Sequence, residues 1–223
     1  MRRRSKLLLG GFVAMLALAV AINTASAHRF EFSSESIKAI AAEVTMTGQG
    51  NLFIVRCGVG IQGVFHSRTI AKVSGQLIGL LTSGVASRPC VGGEAWILNG
   101  VEVLEGVTTA NTLPWHIQYN SFTGTLPRIN GIRVAVIGFS VLVRATILGV
   151  PTECLYRSTQ ASPLFAIIML NAETGVATNW TYEGATSIPK NAGVAACPAT
   201  VRVAGVALFS TPAGVSITVR LVA

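Results

Sequence analysis

Aspartate is absent from this 223-residue chain, and all nine acidic side chains are glutamate. Machinery built on Asp, from aspartic dyads to Ser-His-Asp triads and EF-hand calcium loops, is thereby excluded. Charged residues make up only 12% and aromatics 7% of the chain. The aromatics are too scattered for the interfacial girdles of an outer-membrane barrel. Apart from Arg128 and Arg133, the Arg and Lys residues of the mature chain stand singly, without the clustering that a phosphate backbone demands, so no nucleic-acid partner is expected. No Cys-x-x-Cys pair, no Cys-His zinc spacing and no Gly-x-Ser-x-Gly nucleophile elbow occurs. Past the N-terminal segment, apolar runs fall short of the ~20 residues a membrane helix needs; Val134 to Ile147, for example, is broken by Gly138, Ser140 and Arg144.

What is present begins with Met1-Arg-Arg-Arg-Ser-Lys6, apolar Leu7 to Ile22 and the small residues Ala25-Ser-Ala27. This is the charged, apolar and cleavable order of a secretory signal peptide. Residues 1–27 are therefore expected to be removed, leaving 28–223 as a single domain, secreted or at the cell surface, that starts with His28. Loss of Arg2, Arg3, Arg4 and Lys6 from the 17 basic residues leaves 13 against nine acids, so the net charge falls from +8 to +4. In an exported chain the even set Cys57, Cys90, Cys154 and Cys197 is expected to form disulfides. Four cysteines allow three connectivities; Cys57 with Cys90 and Cys154 with Cys197 suits neighbouring strands of a meander. Each bridge would contribute roughly 3–4 kcal/mol in the chain-entropy account.

The local period is two. At the C-terminus Val215, Ile217, Val219 and Leu221 alternate with Ser216, Thr218, Arg220 and Val222, the pattern of a half-buried strand. With Val201 to Phe209 and the turn Ser210 to Gly214 it reads as a terminal hairpin. Similar runs include Ala42 to Thr47, Leu52 to Cys57, Ile61 to His66, Ile70 to Leu81, Phe139 to Leu148 and Leu164 to Leu170. Turn signals separate them, among them Asn99-Gly100, Leu126 to Gly131 and Pro189 to Gly193. Only Ile37 to Val44 offers a competing helical turn. The expected fold is all-β, an antiparallel β-sandwich or flattened β-barrel built from meander-like hairpins, preceded by the signal-peptide helix.

Few residues suggest chemistry. Gly58-Val-Gly-Ile-Gln-Gly63 matches the dinucleotide fingerprint, but a strand-like segment follows where a helix must begin, so strand twist and a bulge account for these glycines. Cleavage after Ala27 would expose the amine and imidazole of His28 together; with His66 or His116 they could form a nitrogen-rich copper site, Tyr119 or Tyr156 lying axially. Such a site resembles the histidine brace of lytic polysaccharide monooxygenases and periplasmic copper carriers. Trp96, Trp115 and Trp180 could stack on sugars or fill a core. Glu102 and Glu105 read as a solvated edge.

His28-Arg-Phe-Glu-Phe-Ser-Ser-Glu35, Leu113-Pro-Trp-His-Ile117 with Phe122 to Pro127, and Cys154-Leu-Tyr156 resemble a group of uncharacterised secreted proteins of actinobacteria. That resemblance implies export, β architecture and disulfides, and no activity. The leading expectation is a secreted or cell-surface protein of bacterial type, acting as a non-enzymatic structural or binding module without a cofactor. It would contact the cell envelope or a small apolar ligand and would not span the membrane after cleavage. The alternatives are a copper-binding protein or oxidase using His28, and a carrier of an apolar ligand held in a barrel lined by Val, Ile and Leu.

Overall fold

Buried apolar residues alternate with more exposed ones along most of the long strands of the computed structural model, which describes residues 29–97, 102–104, 107–109 and 113–222. In chain order the strands are β1 (Arg29–Phe32), β2 (Ser36–Gly48), β3 (Ile54–Phe65), β4 (Thr69–Ala71), β5 (Leu77–Val91), β6 (Glu94–Ile97), β7 (Glu102–Leu104), β8 (Val107–Thr109) and β9 (Trp115–Thr125). They continue with β10 (Arg128–Ile137), β11 (Ser140–Ile147), β12 (Val150–Arg157), β13 (Leu164–Leu170), β14 (Ala177–Tyr182), β15 (Ser187–Gly193), β16 (Thr200–Ser210) and β17 (Val219–Val222). Among the described residues no helix is long and apolar enough to cross a membrane.

Eight of these strands pair antiparallel in the order β2, β3, β5, β9, β10, β13, β14 and β16, and β16 pairs back onto β2. The hydrogen-bond ladder thus closes on itself, and closure removes the barrel's edges. Around the ring the strands follow chain order, so their connections fall alternately at the two ends. At the first end lie the approach to β2, the β3–β5 connection that carries β4, and the exit from β16. Here β1 pairs antiparallel with both β17 and β4 in a three-stranded sheet. Phe30 and Phe32 of β1 are fully buried. The Phe32 ring lies 4.6 Å from Phe65, and Phe30 lies 6.0 Å from Tyr119 and 6.2 Å from Phe122. Arg220 Nε donates to Glu31 Oε2 at 2.7 Å, tying β17 to β1, and its guanidinium holds the Glu31 carboxyl below the usual range.

At the second end the β5–β9, β10–β13 and β14–β16 connections supply another sheet. It grows from β16 through β15, β12 and β11 to β6. Tyr156 of β12 is buried, its hydroxyl donating to the Pro198 carbonyl at 3.2 Å and its ring 6.2 Å from Phe53. Phe139 meets Trp115 edge-on at 4.9 Å. Two disulfides serve this end: Cys154–Cys197 joins β12 to the segment before β16, and Cys57–Cys90 joins β3 to β5. They are the pairs that the meander argument favours, and they point to an oxidising environment.

Several local expectations are corrected. Ile37 to Val44 lies within β2, because its alternating burial can be satisfied only by a strand. Ile70 to Leu81 divides into β4 and β5 around a turn at Gly75, whose φ of 80° is left-handed. Pro189 to Gly193 belongs to β15. The C-terminal hairpin does not form: β16 is occupied by β2, β14 and β15, so β17 pairs with β1 instead. Residues 1–27, where a signal peptide is expected, and His28 lie outside the described residues.

Candidate functional site

An apolar carrier would need room inside the barrel. The inward positions are instead filled by large side chains: Trp115, Ile117, Val134, Ile168 and Trp180 have no accessible surface. Side chains lining a ligand-sized void would retain some surface for a water-sized sphere, and these retain none. Eight strands enclose an interior that side chains can just fill, and Tyr119, Tyr182 and Phe209 take further volume. Burial disfavours the phenolate and pushes the pKa of the Tyr119, Tyr156 and Tyr182 phenols above the ordinary value.

The structure separates most residues singled out in the sequence. Cys57, Cys90, Cys154 and Cys197 are all consumed by the two bridges. His66, just beyond β3, and His116, on β9, are both exposed. His116 pairs with Leu80, and Leu80 with Val64, two residues before His66, so β5 lies between the two histidines. At about 4.8 Å per strand spacing, their backbones stand on the order of 10 Å apart or more. His28, the remaining member of the copper set, lies outside the described residues. Tyr119 and Tyr156 face the core. Gly58 to Gly63 runs inside β3, with no helix after it to receive a pyrophosphate. Trp115 and Trp180 are core residues, whereas the Trp96 side chain and Glu105 lie outside the described residues. Among the described residues no three His, Cys or Glu side chains converge as metal ligands.

A cavity of about 540 Å3 opens instead where the second cap meets the barrel. His116 enters it from β9, opposite Ile137 at the end of β10. Leu113 and Pro114 continue this apolar wall. Across the opening stand Arg157, Ser158 and Thr159 at the end of β12. Two backbone bonds fix this edge, Gly138 N–H to the Ser158 carbonyl at 3.0 Å and Ser158 N–H to the Phe139 carbonyl at 2.8 Å. Gly138 takes a φ of 86°, which lets β10 turn sharply into β11. The Ser158 hydroxyl is committed to the Val136 carbonyl at 2.8 Å. Asn191 completes the lining from β15; it is the extra residue between the pairs Leu155–Ala192 and Tyr156–Lys190. Such a bulge redirects the side chain it inserts.

Among the half-buried cations of the described residues, Arg157 and Lys38 stand apart from those with side-chain partners. Arg133 pairs with Glu183 at 2.7 Å, donates to Asn120 and stacks on Phe165; Arg144 pairs with Glu153, and Lys190 reaches two carbonyls. Half-buried Arg157 has no such partner among the described residues, and no lining residue of its cavity is acidic. Sequence reasoning reached His116 but missed Arg157 and Asn191. They stand 34 positions apart in the chain and meet only through β12–β15 pairing, so no local motif announces them.

Compared with family models, with curated proteins and with solved structures, the chain matches none.

Proposed function

We propose that this protein is an exported, non-enzymatic binding module of the extracellular space or cell surface, released by cleavage after Ala27, and that it binds at its capped end. A filled interior beneath two caps supports this reading, because it directs binding to outer concavities such as the junction cavity of about 540 Å3, where polar groups converge. The signal-like residues 1–27 and the two disulfides support export. Apolar residues turned inward, with Lys38, Arg56 and Gln62 on the outer side of β2 and β3, are the inverse of a membrane barrel with a polar lumen.

The test uses protein secreted by a bacterial host. Native mass spectrometry is expected to give a chain starting at His28, lighter by four hydrogens and free of metal, and the neutral fluorophore N-phenylnaphthylamine is expected to show no saturable uptake. Stoichiometric uptake of that dye, or one copper per chain retained through dialysis, would overturn the reading in favour of a carrier or a copper protein.

A further inference from the structure

We propose that the junction cavity binds small organic carboxylates, with Arg157 holding the anionic end and Leu113, Pro114 and Ile137 covering the apolar body. The inference rests on the binding-module reading and names its ligand class. Guanidinium is charged at every physiological pH and offers paired N–H donors that match the two oxygens of a carboxylate. A buried or half-buried arginine is ordinarily paired, as Arg133 is with Glu183, and even the exposed Arg144 pairs with Glu153. Arg157 has the partial burial without the match, among the described residues, and faces a cavity whose lining carries no carboxylate. Asn191 and Thr159 supply further donors at the same rim, while the opposite wall is apolar. An inorganic anion would leave that wall wet, whereas a carboxylate with a short apolar body covers both halves at once.

The neighbouring cavity of about 500 Å3 on the β11–β12 hairpin is a built-in comparison. It is of similar size, but its Arg144 is already neutralised by Glu153, and Glu94 also lines it. An anion has no reason to settle there.

Benzoate titrated into the oxidised mature protein, followed by amide NMR, is expected to saturate one site, with the largest shifts at Gly138, Ser158, Thr159 and Asn191. Benzamide, the same shape without the charge, and sulfate, the charge without the ring, are each expected to bind about tenfold more weakly or worse, the discrimination that a charged hydrogen-bonded pair typically provides. Arg157→Gln is expected to weaken benzoate by a similar factor, with Arg128→Gln, an exposed cation elsewhere on the barrel, leaving it unchanged. Absence of saturable binding, benzamide or sulfate equal to benzoate, or an Arg157→Gln variant with wild-type affinity would each overturn the proposal. The wild-type comparison of the three probes stands even where a variant fails to fold. Such failures would leave the binding-module reading intact, since the dye and metal measurements do not depend on Arg157.

Discussion

Trp180 places an indole N–H inside the barrel with no acceptor in reach among the described residues, although its ring packs 6.0 Å from Phe209 and 6.4 Å from Tyr182. The ring contributes area and dispersion, while the unpaired donor carries a desolvation cost of roughly 1–3 kcal/mol. The two contributions can be separated by substitution. Trp180→Phe removes the donor and keeps most of the ring, so its unfolding free energy should stay within about 1 kcal/mol of wild type, against a loss of about 3–5 kcal/mol for Trp180→Ala. Urea titration checks both, and a phenylalanine variant as unstable as the alanine one would mean that the N–H has a partner after all. The buried phenols have a similar residue-scale consequence. Because burial disfavours the phenolate and raises the pKa of Tyr119, Tyr156 and Tyr182, the folded chain keeps these protons after the unfolded chain has begun to lose them near pH 10. The resulting stability is complete below that pH and is lost as pH rises above it. Absorbance of tyrosinate at rising pH should therefore accompany unfolding; ionisation of all three in a protein still folded by circular dichroism would contradict the burial.

At the scale of elements, the second cap depends on hydrogen bonds to β16 and on the Cys154–Cys197 bridge, which closes a loop with a sequence separation of 43. Replacing both cysteines by alanine should lower unfolding free energy by roughly 3–4 kcal/mol. Amide exchange should accelerate first in β11 and β12, since the ladder from β15 to β16 is only Ser187–Arg202 to Pro189–Thr200. Uniform acceleration across the barrel would show instead that cap and barrel open as one unit. Strands such as Leu164-Phe-Ala-Ile-Ile-Met-Leu170 were legible as short apolar runs bounded by turn residues, whereas their alternating burial comes from the barrel wall rather than from alternating side chains. Their partners were less so. Val201 to Phe209 and the C-terminal run look like a hairpin at short range, but ring closure brings β2 to one edge of β16 and both β14 and β15 to the other. The same long-range pairing assembles Arg157 and Asn191, which explains why the cavity had no counterpart in sequence spacing while the disulfides, set by strand order, did.

For the whole molecule, β1 is the strand on which the first cap depends. It is central in its sheet, with β17 on one side and β4 on the other, so without it that sheet is lost and β17 keeps only its bond from Val219 N–H to the Gly175 carbonyl and the adjoining Val176–Thr218 bridge. Four residues thus join the N-terminal strand, the C-terminal strand and the β3–β5 connection. Burying Phe30 and Phe32 stabilises by about 1.5–3 kcal/mol each, and seven cross-strand residue pairs are anchored on the same four residues. Together these approach the roughly 5–15 kcal/mol that a typical domain has in total. A chain beginning at Ser34 should therefore be marginal or unfolded at room temperature, whereas Arg29→Ala, at an exposed position of the same strand, should unfold close to wild type. Phe32→Ala should fall between them, losing about 3–5 kcal/mol as the contact with Phe65 is vacated. Calorimetry of the three variants decides the matter: if the shortened chain melts within a few degrees of wild type, the first cap is an ornament on an independently stable barrel, and the N-terminal strand has no part in holding the two ends of the chain together.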